Sequence, residues 1–501
     1  MLYDPERNWP TNGDNQIVVS ARVAYLDRLS PLTVPEPIPY PPRLPFLKNL
    51  FSIDLKRPVM SIAELSKQYH PIMELAYPNG ESVIFVTGYE LCRELCDEKR
   101  FQKNINFVLT ALKQVIGNGL FTAETQSDDW GMAHRVLLPG FSQKGMREFH
   151  PYMQEAAGEL VQKWDNLPDG RYINLTDDMT RLTFETIGLA GFGYRLESFR
   201  REEPHPFVAA MLFSLRHIMQ TFALPDFAKK LMYKKQARFE KEVAYMFDYV
   251  DGIIRERRAR PEHYADRYDF LSLMLQTTDP ETGRRLDDEN IRYQIITFLT
   301  AGHETTAGLL GFTFYHLLTH PEALARAYAE VDELLGPPGA SLPDYQQVNK
   351  LKYLKQLLNE TLRLNPTAPS FGVTPLEDTL LGGKYAVAAG QDIQVMLPAL
   401  HREETQWGAE AESFCPAHFH RDASRNRDAY AYKPFGNGQR ACIGRHFALH
   451  EATLALAVVL QRYELHLKPG YEFTIEETLT LRPHDLQVRV TRRATAPTPT
   501  A

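Results

Sequence analysis

Cysteine is scarce in this chain: four in 501 residues, Cys92, Cys96, Cys415 and Cys442. That is too few for a disulfide scaffold and predicts a reduced, cytoplasmic setting. Long apolar runs are also missing. No stretch reaches the roughly 18 residues a bilayer-spanning helix requires. The opening residues, MLYDPERN, are followed by no apolar core of a signal peptide. Neither a leader nor a membrane anchor is therefore expected. Positive charge is not in excess, with 56 Lys and Arg against 63 Asp and Glu and a net charge of -7. A nucleic-acid partner, which needs a basic footprint, is excluded on that ground. Internal repeats are absent too.

What remains is ordinary globular material, 44% hydrophobic and 24% charged. Length alone would suggest two or three domains. The composition does not shift between the ends, which favours one large unit over residues 46–493. Before it stands a Pro-rich extension, residues 1–45, with seven prolines from Pro31 to Pro45. This should be an extended, structureless lead-in. After it comes a low-complexity tail or linker stub, residues 494–501. Strand-like runs are few: 82–87 (SVIFVT), 392–397 (DIQVML) and 486–490. Amphipathic helical patterns dominate elsewhere, so the fold class is mainly α with small β-sheets. The clearest helix starts at Asp287 or Asp288, both good N-caps, and runs to about His320, before Pro321. At more than 30 residues it is roughly 50 Å long and must cross the whole domain.

Two groups of residues carry chemistry. Residues 435–444 read FGNGQRACIG. Gly436 and Gly438 permit sharp turns and close approach to a flat ligand. Cys442 stands just before a predicted helix at 445–460, whose free N–H groups stabilise a thiolate. Inside the long helix, residues 301–306 read AGHETT. A zinc-protease motif fails there, because the second His is replaced by Ala307. Ala301 and Thr305 share one helix face. Glu304 with Thr305 can carry protons. Gly302, Gly308 and Gly311 each cost about 1 kcal/mol relative to Ala in a helix; a local opening of the helix that admits O₂ would explain them.

FGNGQRACIG resembles the haem-binding loop of the cytochrome P-450 superfamily, F-x-x-G-x-R-x-C-x-G, with Phe435, Gly438, Arg440, Cys442 and Gly444 all matching. The resemblance implies a P-450 fold, with the long helix crossing above haem b. Cys442 becomes the proximal iron ligand, whose thiolate favours O–O cleavage. Glu304 and Thr305 become the distal catalytic pair. Trp130 and His134, four apart, resemble the family's W-x-x-x-H facing a haem propionate. Arg440 takes a propionate, and Lys103 adds a cation on the same edge. Glu360 and Arg363 resemble the family's buried E-x-x-R pair. Where that network has a further Arg, this chain has His418.

The segments from Asp287 and from Pro434 are similar to a subgroup, the self-sufficient fatty-acid hydroxylases, in which the haem domain is fused to a diflavin reductase. By that likeness Phe121 overhangs the haem, while Ala301, Ala368 and Leu479 line the substrate channel. The implied reaction is subterminal hydroxylation of a medium- or long-chain fatty acid or related lipid, using O₂. Electrons come from NADPH through FAD and FMN of a diflavin or flavodoxin-type reductase, fused or separate. The subgroup's Arg and Tyr at the channel mouth, which hold the substrate carboxylate, are here Glu81 and Phe85. Glu81 repels a carboxylate, so neutral lipids and other apolar molecules remain open. A peroxide-driven peroxygenase and a non-catalytic haem sensor are the alternatives. Arg421, Arg425, Arg427, Lys433 and Arg445 flank the Cys loop and suit an acidic flavin domain.

Overall fold

In the computed structural model, residues 35–494 are described, except 55, 79, 169, 222–230 and 426. Most of the Pro-rich extension and all but the first residue of the tail fall outside them. The N-terminal part alternates short elements: α1 (Pro58–Gln68), β1 (Ile72–Ala76), β2 (Ser82–Val86), α2 (Tyr89–Leu95) and β3 (Phe101–Lys103). Helices then dominate: α3 (Phe107–Ile116), α4 (Asp128–Leu137) and α5 (Gln143–Asp165). After β4 (Tyr172–Asn174) come α6 (Leu175–Phe192), α7 (Pro206–Thr221), α8 (Tyr233–Ala259) and α9 (Phe270–Gln276). The next are α10 (Asp288–Thr319), α11 (Pro321–Leu335), α12 (Tyr345–Lys350) and α13 (Lys352–Leu364). Strands β5 (Ser370–Pro375), β6 (Thr379–Leu381), β7 (Tyr385–Val387) and β8 (Asp392–Met396) precede the Cys loop. α14 (Arg445–Arg462), β9 (Tyr463–Leu467), β10 (Ile475–Glu477), β11 (Leu481–Pro483) and β12 (Gln487–Arg492) complete the chain.

The largest sheet has the order β1-β2-β8-β5-β3. Its β1–β2 pairing sets Met73 opposite Phe85, and β8 joins β2 in parallel. The three strand-like runs seen in the sequence are β2, β8 and β12. The others are mostly three to five residues long, too short to stand out in the sequence, although β9 (YELHL) does alternate apolar and polar residues.

α10 is the axis of the molecule. Asp287 caps it by accepting the backbone N–H of Asn290, and Asp288 and Glu289 sit in its first turn, where the helix dipole favours negative charge. Proline at 321 excludes continuation. Between these stops the helix is continuous over 32 residues and buried on most faces, so it packs against neighbours all round. No local opening interrupts it. Two of its glycines have a packing reason instead. A Cβ on Gly308 would lie 2.7 Å from the Leu481 carbonyl oxygen, and one on Gly311 would lie 3.1 Å from Pro483 Cδ. Both glycines let β11 approach the helix backbone. Gly302 meets only the Ile187 side chain, at 3.4 Å.

The lead-in is tied down over its described part. Glu36 N–H donates to the Lys384 carbonyl (2.9 Å) and Glu74 N–H to the Pro39 carbonyl (2.9 Å). Asn49 Nδ2 donates to the Pro41 carbonyl at 2.9 Å. Proline lacks a donor but keeps its acceptor, and the sheet edge uses it. Among the described residues, no helix is long and apolar enough to cross a membrane.

Candidate active site

The Cys loop turns where the glycines allow it. Gly436 and Gly438 have φ of 75° and 63°, values that side chains rarely adopt. A Cβ at Gly438 would also overlap the Glu98 carboxyl group. That carboxyl accepts the Gln439 N–H at 2.8 Å, and Asn437 Nδ2 donates to the Cys96 carbonyl at 3.0 Å. Cys442 N–H donates to the Phe435 carbonyl at 2.8 Å. The loop thereby presents Cys442 just before α14. Burial pushes the Cys442 thiol up, while the Gly444 N–H, Arg445 and Lys103 pull it down less strongly. A bound cation would reverse that balance and hold the thiolate.

Beside it stands a group of cations. The Lys103 ammonium lies 4.5 Å from the Phe121 ring centre and donates to the Phe121 carbonyl at 2.6 Å. Arg440 donates to the carbonyls of Ala123 (2.9 Å) and Leu120 (3.1 Å) and to Thr125 Oγ1 (2.9 Å). Its guanidinium sits 4.9 Å from the Trp130 ring centre. Trp130 stacks on His134 at 4.9 Å. Burial first, then the Arg440 charge, pushes Lys103 down to about 7. Burial pulls Arg440 down to about 10. His134 is lowered by burial and then by Arg440 and Arg135. The carboxylate that raises Lys103 and Arg440, Glu124, is itself paired with Lys113 at 3.3 Å. Cations drawn partly out of water without an anion of their own are costly, and this half-buried cluster fits an anionic ligand edge.

The second group of site candidates stands on α10. Thr305 Oγ1 donates to the Ala301 carbonyl at 2.8 Å. Ala301 keeps open surface although its helix is otherwise largely buried, and Cys442 is open as well. Glu304 turns the other way, accepting a hydrogen bond from Thr478 Oγ1 at 2.5 Å. Burial raises its carboxyl above the usual range, outweighing help from Thr478, Arg482 and Thr480. His303 stacks on Phe184 at 3.8 Å, and burial takes it down to about 3. It is a packing residue. The Leu481 N–H donates to the Thr367 carbonyl at 2.9 Å, which brings the segment carrying Ala368 to the hairpin carrying Leu479. Ala368, Leu479 and Phe121 are all half-buried.

Phe85 lies elsewhere. It is buried in a small cluster with Met73, Leu75, Val83 and Met396, whereas Phe121 and Leu479 pack against the main core. Glu81 is exposed. Sequence reasoning missed Thr478 and Glu98, which hold Glu304 and the Cys loop. Each acts across more than 170 residues of chain, and no local pattern marks such partners.

Below the Cys loop, the side chains of Glu360 and Arg363 are fully buried and paired at 2.7 Å and 2.9 Å. Arg363 also donates to the carbonyls of His401, Ala411 and Ser413. His418 fills the position of the family's further Arg through a single bond, Nδ1 to Glu360 Oε1 at 3.1 Å. Burial raises Glu360, yet hydrogen bonds from Arg363, His418 and the Cys415 N–H hold it below the usual carboxylate range.

These features fit an iron porphyrin: an open cysteine sulfur, a face of α10 with a small residue and open surface, and half-buried basic side chains for two propionates. A model of the family described as Cytochrome P450 matches residues 38–490. The chain is 47% identical over 463 residues to the bifunctional cytochrome P450/NADPH–P450 reductase 2 of Bacillus subtilis, covering 92% of this chain and 43% of that protein. It is 41% identical over 460 residues to the self-sufficient cytochrome P450 monooxygenase CYP505E3 of Aspergillus terreus, covering 91% and 43%. The chain spans less than half the length of these curated relatives.

Proposed function

The chain belongs to the cytochrome P450 family, and from that premise we propose that it is a haem-thiolate monooxygenase whose electrons come from NADPH through a flavin reductase. The observation that carries this reading is the open Cys442 beside the half-buried basic side chains Lys103, Arg440 and His134, which have no ion-pair partner of their own among the described residues. Cys442 would ligate the iron of haem b, with Arg440, His134, Trp130 and Lys103 around the propionates and Phe435 against the ring. When bound, the haem supplies the activation of O₂ that inserts one oxygen atom into a C–H bond.

The protein's own groups do the rest. Thr305, on the open face of α10, offers a hydroxyl for proton donation toward that space. Glu304, whose carboxyl burial raises above its ordinary range, would be the proton reservoir behind it, held by Thr478. Phe121, Ala301, Ala368 and Leu479 orient an apolar substrate and exclude water. The fused relatives support a diflavin reductase as electron donor, and the substrate proposed is a medium- or long-chain fatty acid or related lipid. At the positions where the resembling subgroup has its Arg and Tyr, this chain has the exposed Glu81 and the buried Phe85, and neither supplies a cation for a carboxylate. A second cleft of about 630 Å³ between α3, α7 and α8 has neutral lining residues, among them Phe107, Ile218 and Phe239. Both features favour a neutral chain end at the mouth.

The test is the reduced CO difference spectrum of the haem-loaded protein. The thiolate-type Soret band is expected, and Cys442→Ala should abolish it; a surviving band overturns the ligand. Turnover of a fatty acid and its methyl ester with reductase and NADPH, against peroxide alone, then separates monooxygenase, peroxygenase and sensor. Preference for the ester is the expected outcome.

A further inference from the structure

Away from the haem cleft, the loop that follows the short helix Glu404–Trp407 gathers a thiol, an imidazole and a carboxylate. A carboxylate oxygen of Glu410, the Cys415 sulfur and a ring nitrogen of His418 lie within 4.8 Å of one another. The surroundings prepare these groups as ligands. His418 Nδ1 is bonded to Glu360 Oε1 at 3.1 Å, and the same oxygen accepts the Cys415 N–H at 2.8 Å. Glu360 is anchored in turn by Arg363. A carboxylate on Nδ1–H fixes the tautomer and leaves the Nε2 lone pair to bind a metal, the arrangement common behind metal-bound histidines. Burial raises the Cys415 thiol, and the backbone N–H groups of Ala417 and His418 lower it less strongly; a bound cation would turn that balance toward the thiolate. Glu410 is exposed and can reach in. The cations nearby are engaged: Arg363 with Glu360, and Arg427 over the Trp407 ring at 3.7 Å.

We propose that Glu410, Cys415 and His418 form a binding site for one Zn²⁺, distinct from the haem site, with water as the fourth ligand. Thiolate, imidazole and carboxylate together select a borderline-soft, tetrahedral ion over Mg²⁺ or Ca²⁺. Binding forms the Zn–S bond and releases the Cys415 proton to solvent. No electron transfer is involved. The ion staples residues 410–418 around the buried Glu360–Arg363 pair, since Arg363 already holds the carbonyls of Ala411 and Ser413. His418, which weakens that network compared with an Arg, is the residue that makes the site possible.

The experiment uses the tag-free, haem-loaded chain, stripped with EDTA and dialysed against micromolar Zn²⁺. Metal analysis should find one zinc per chain beside the haem iron. Zinc should also slow iodoacetamide labelling of Cys415, read by peptide mass, since Cys92 and Cys96 are buried. Cys415→Ser and His418→Arg should each weaken zinc retention at least about tenfold. His418→Arg keeps an N–H donor for Glu360, so its haem content should equal that of the parent. Failure of the parent to retain zinc stoichiometrically, or retention by either variant equal to the parent's, overturns the proposal.

Discussion

At the residue scale, charge balance decides the behaviour of the site. Lys103 has a folded-state value of about 7 without an anion beside it. Between pH 7 and its unfolded value near 10.5, the unfolded chain carries that proton and the folded haem-free chain does not. Stability of the haem-free protein therefore rises with pH across this window. A propionate restores the Lys103 charge, so haem uptake should bind a proton there and weaken as pH rises from 7 to 10. Titration of the haem-free protein with haem at several pH values should show this slope, and Lys103→Met should flatten it. Glu304→Gln should lower coupled turnover by at least about tenfold, at the low end of what a positioned acid contributes. Thr478→Val leaves the buried Glu304 carboxyl without its close partner. It should raise the Glu304 pKa further, which the carboxyl C=O infrared band of the resting protein would report.

At the element scale, α10 and α13 hold the frame. The α10 glycines make opposite predictions. Gly302→Ala fits against Ile187 and should stabilise by about 0.5–1 kcal/mol, the helix-propensity gain. Gly308→Ala meets backbone at 2.7 Å and should lower the melting temperature despite that gain. Thermal unfolding of the two variants in parallel checks the signs. In α13, Arg363→Ala strands the buried Glu360 charge and should cost about 3–5 kcal/mol. The depressed Glu360 carboxyl contributes stability that is present above its unfolded value. That stability is lost as pH falls through the folded one. Acid unfolding of the parent should therefore show a stability loss below about pH 4.5, the carboxyl's ordinary range, that Glu360→Gln lacks.

For the whole molecule, electron delivery is an encounter between two surfaces. Arg421 and Arg425 lie on one short helix (Arg421–Arg425), Arg445 opens α14, and all three are exposed. Arg427 stacks on Trp407, so of the basic residues flanking the Cys loop it is the least available for docking. Reduction by a separate acidic diflavin reductase should slow as salt rises toward a Debye length of about 8 Å. Arg421→Glu with Arg445→Glu should slow it severalfold at low salt, measured by stopped-flow reduction under CO.

The sequence by itself determined the family likeness, Cys442 as the candidate iron ligand, the caps and extent of α10, and the strands β2, β8 and β12. These are written in contiguous residues, as spacing, caps and periodicity. The tertiary structure alone decided what joins distant segments. It set Thr478 on Glu304, Glu98 on the Cys loop, β11 against Gly308 and Gly311, and a single His418 bond on Glu360. It also put Phe85 and Phe121 in different hydrophobic clusters and left Lys103 and Arg440 half-buried near one another. Burial and pairing across hundreds of residues depend on which surfaces meet, and no local pattern encodes that meeting. The same reason applies to Cys415: one thiol in the sequence, and one of three ligand groups only after the loop has closed around Glu360.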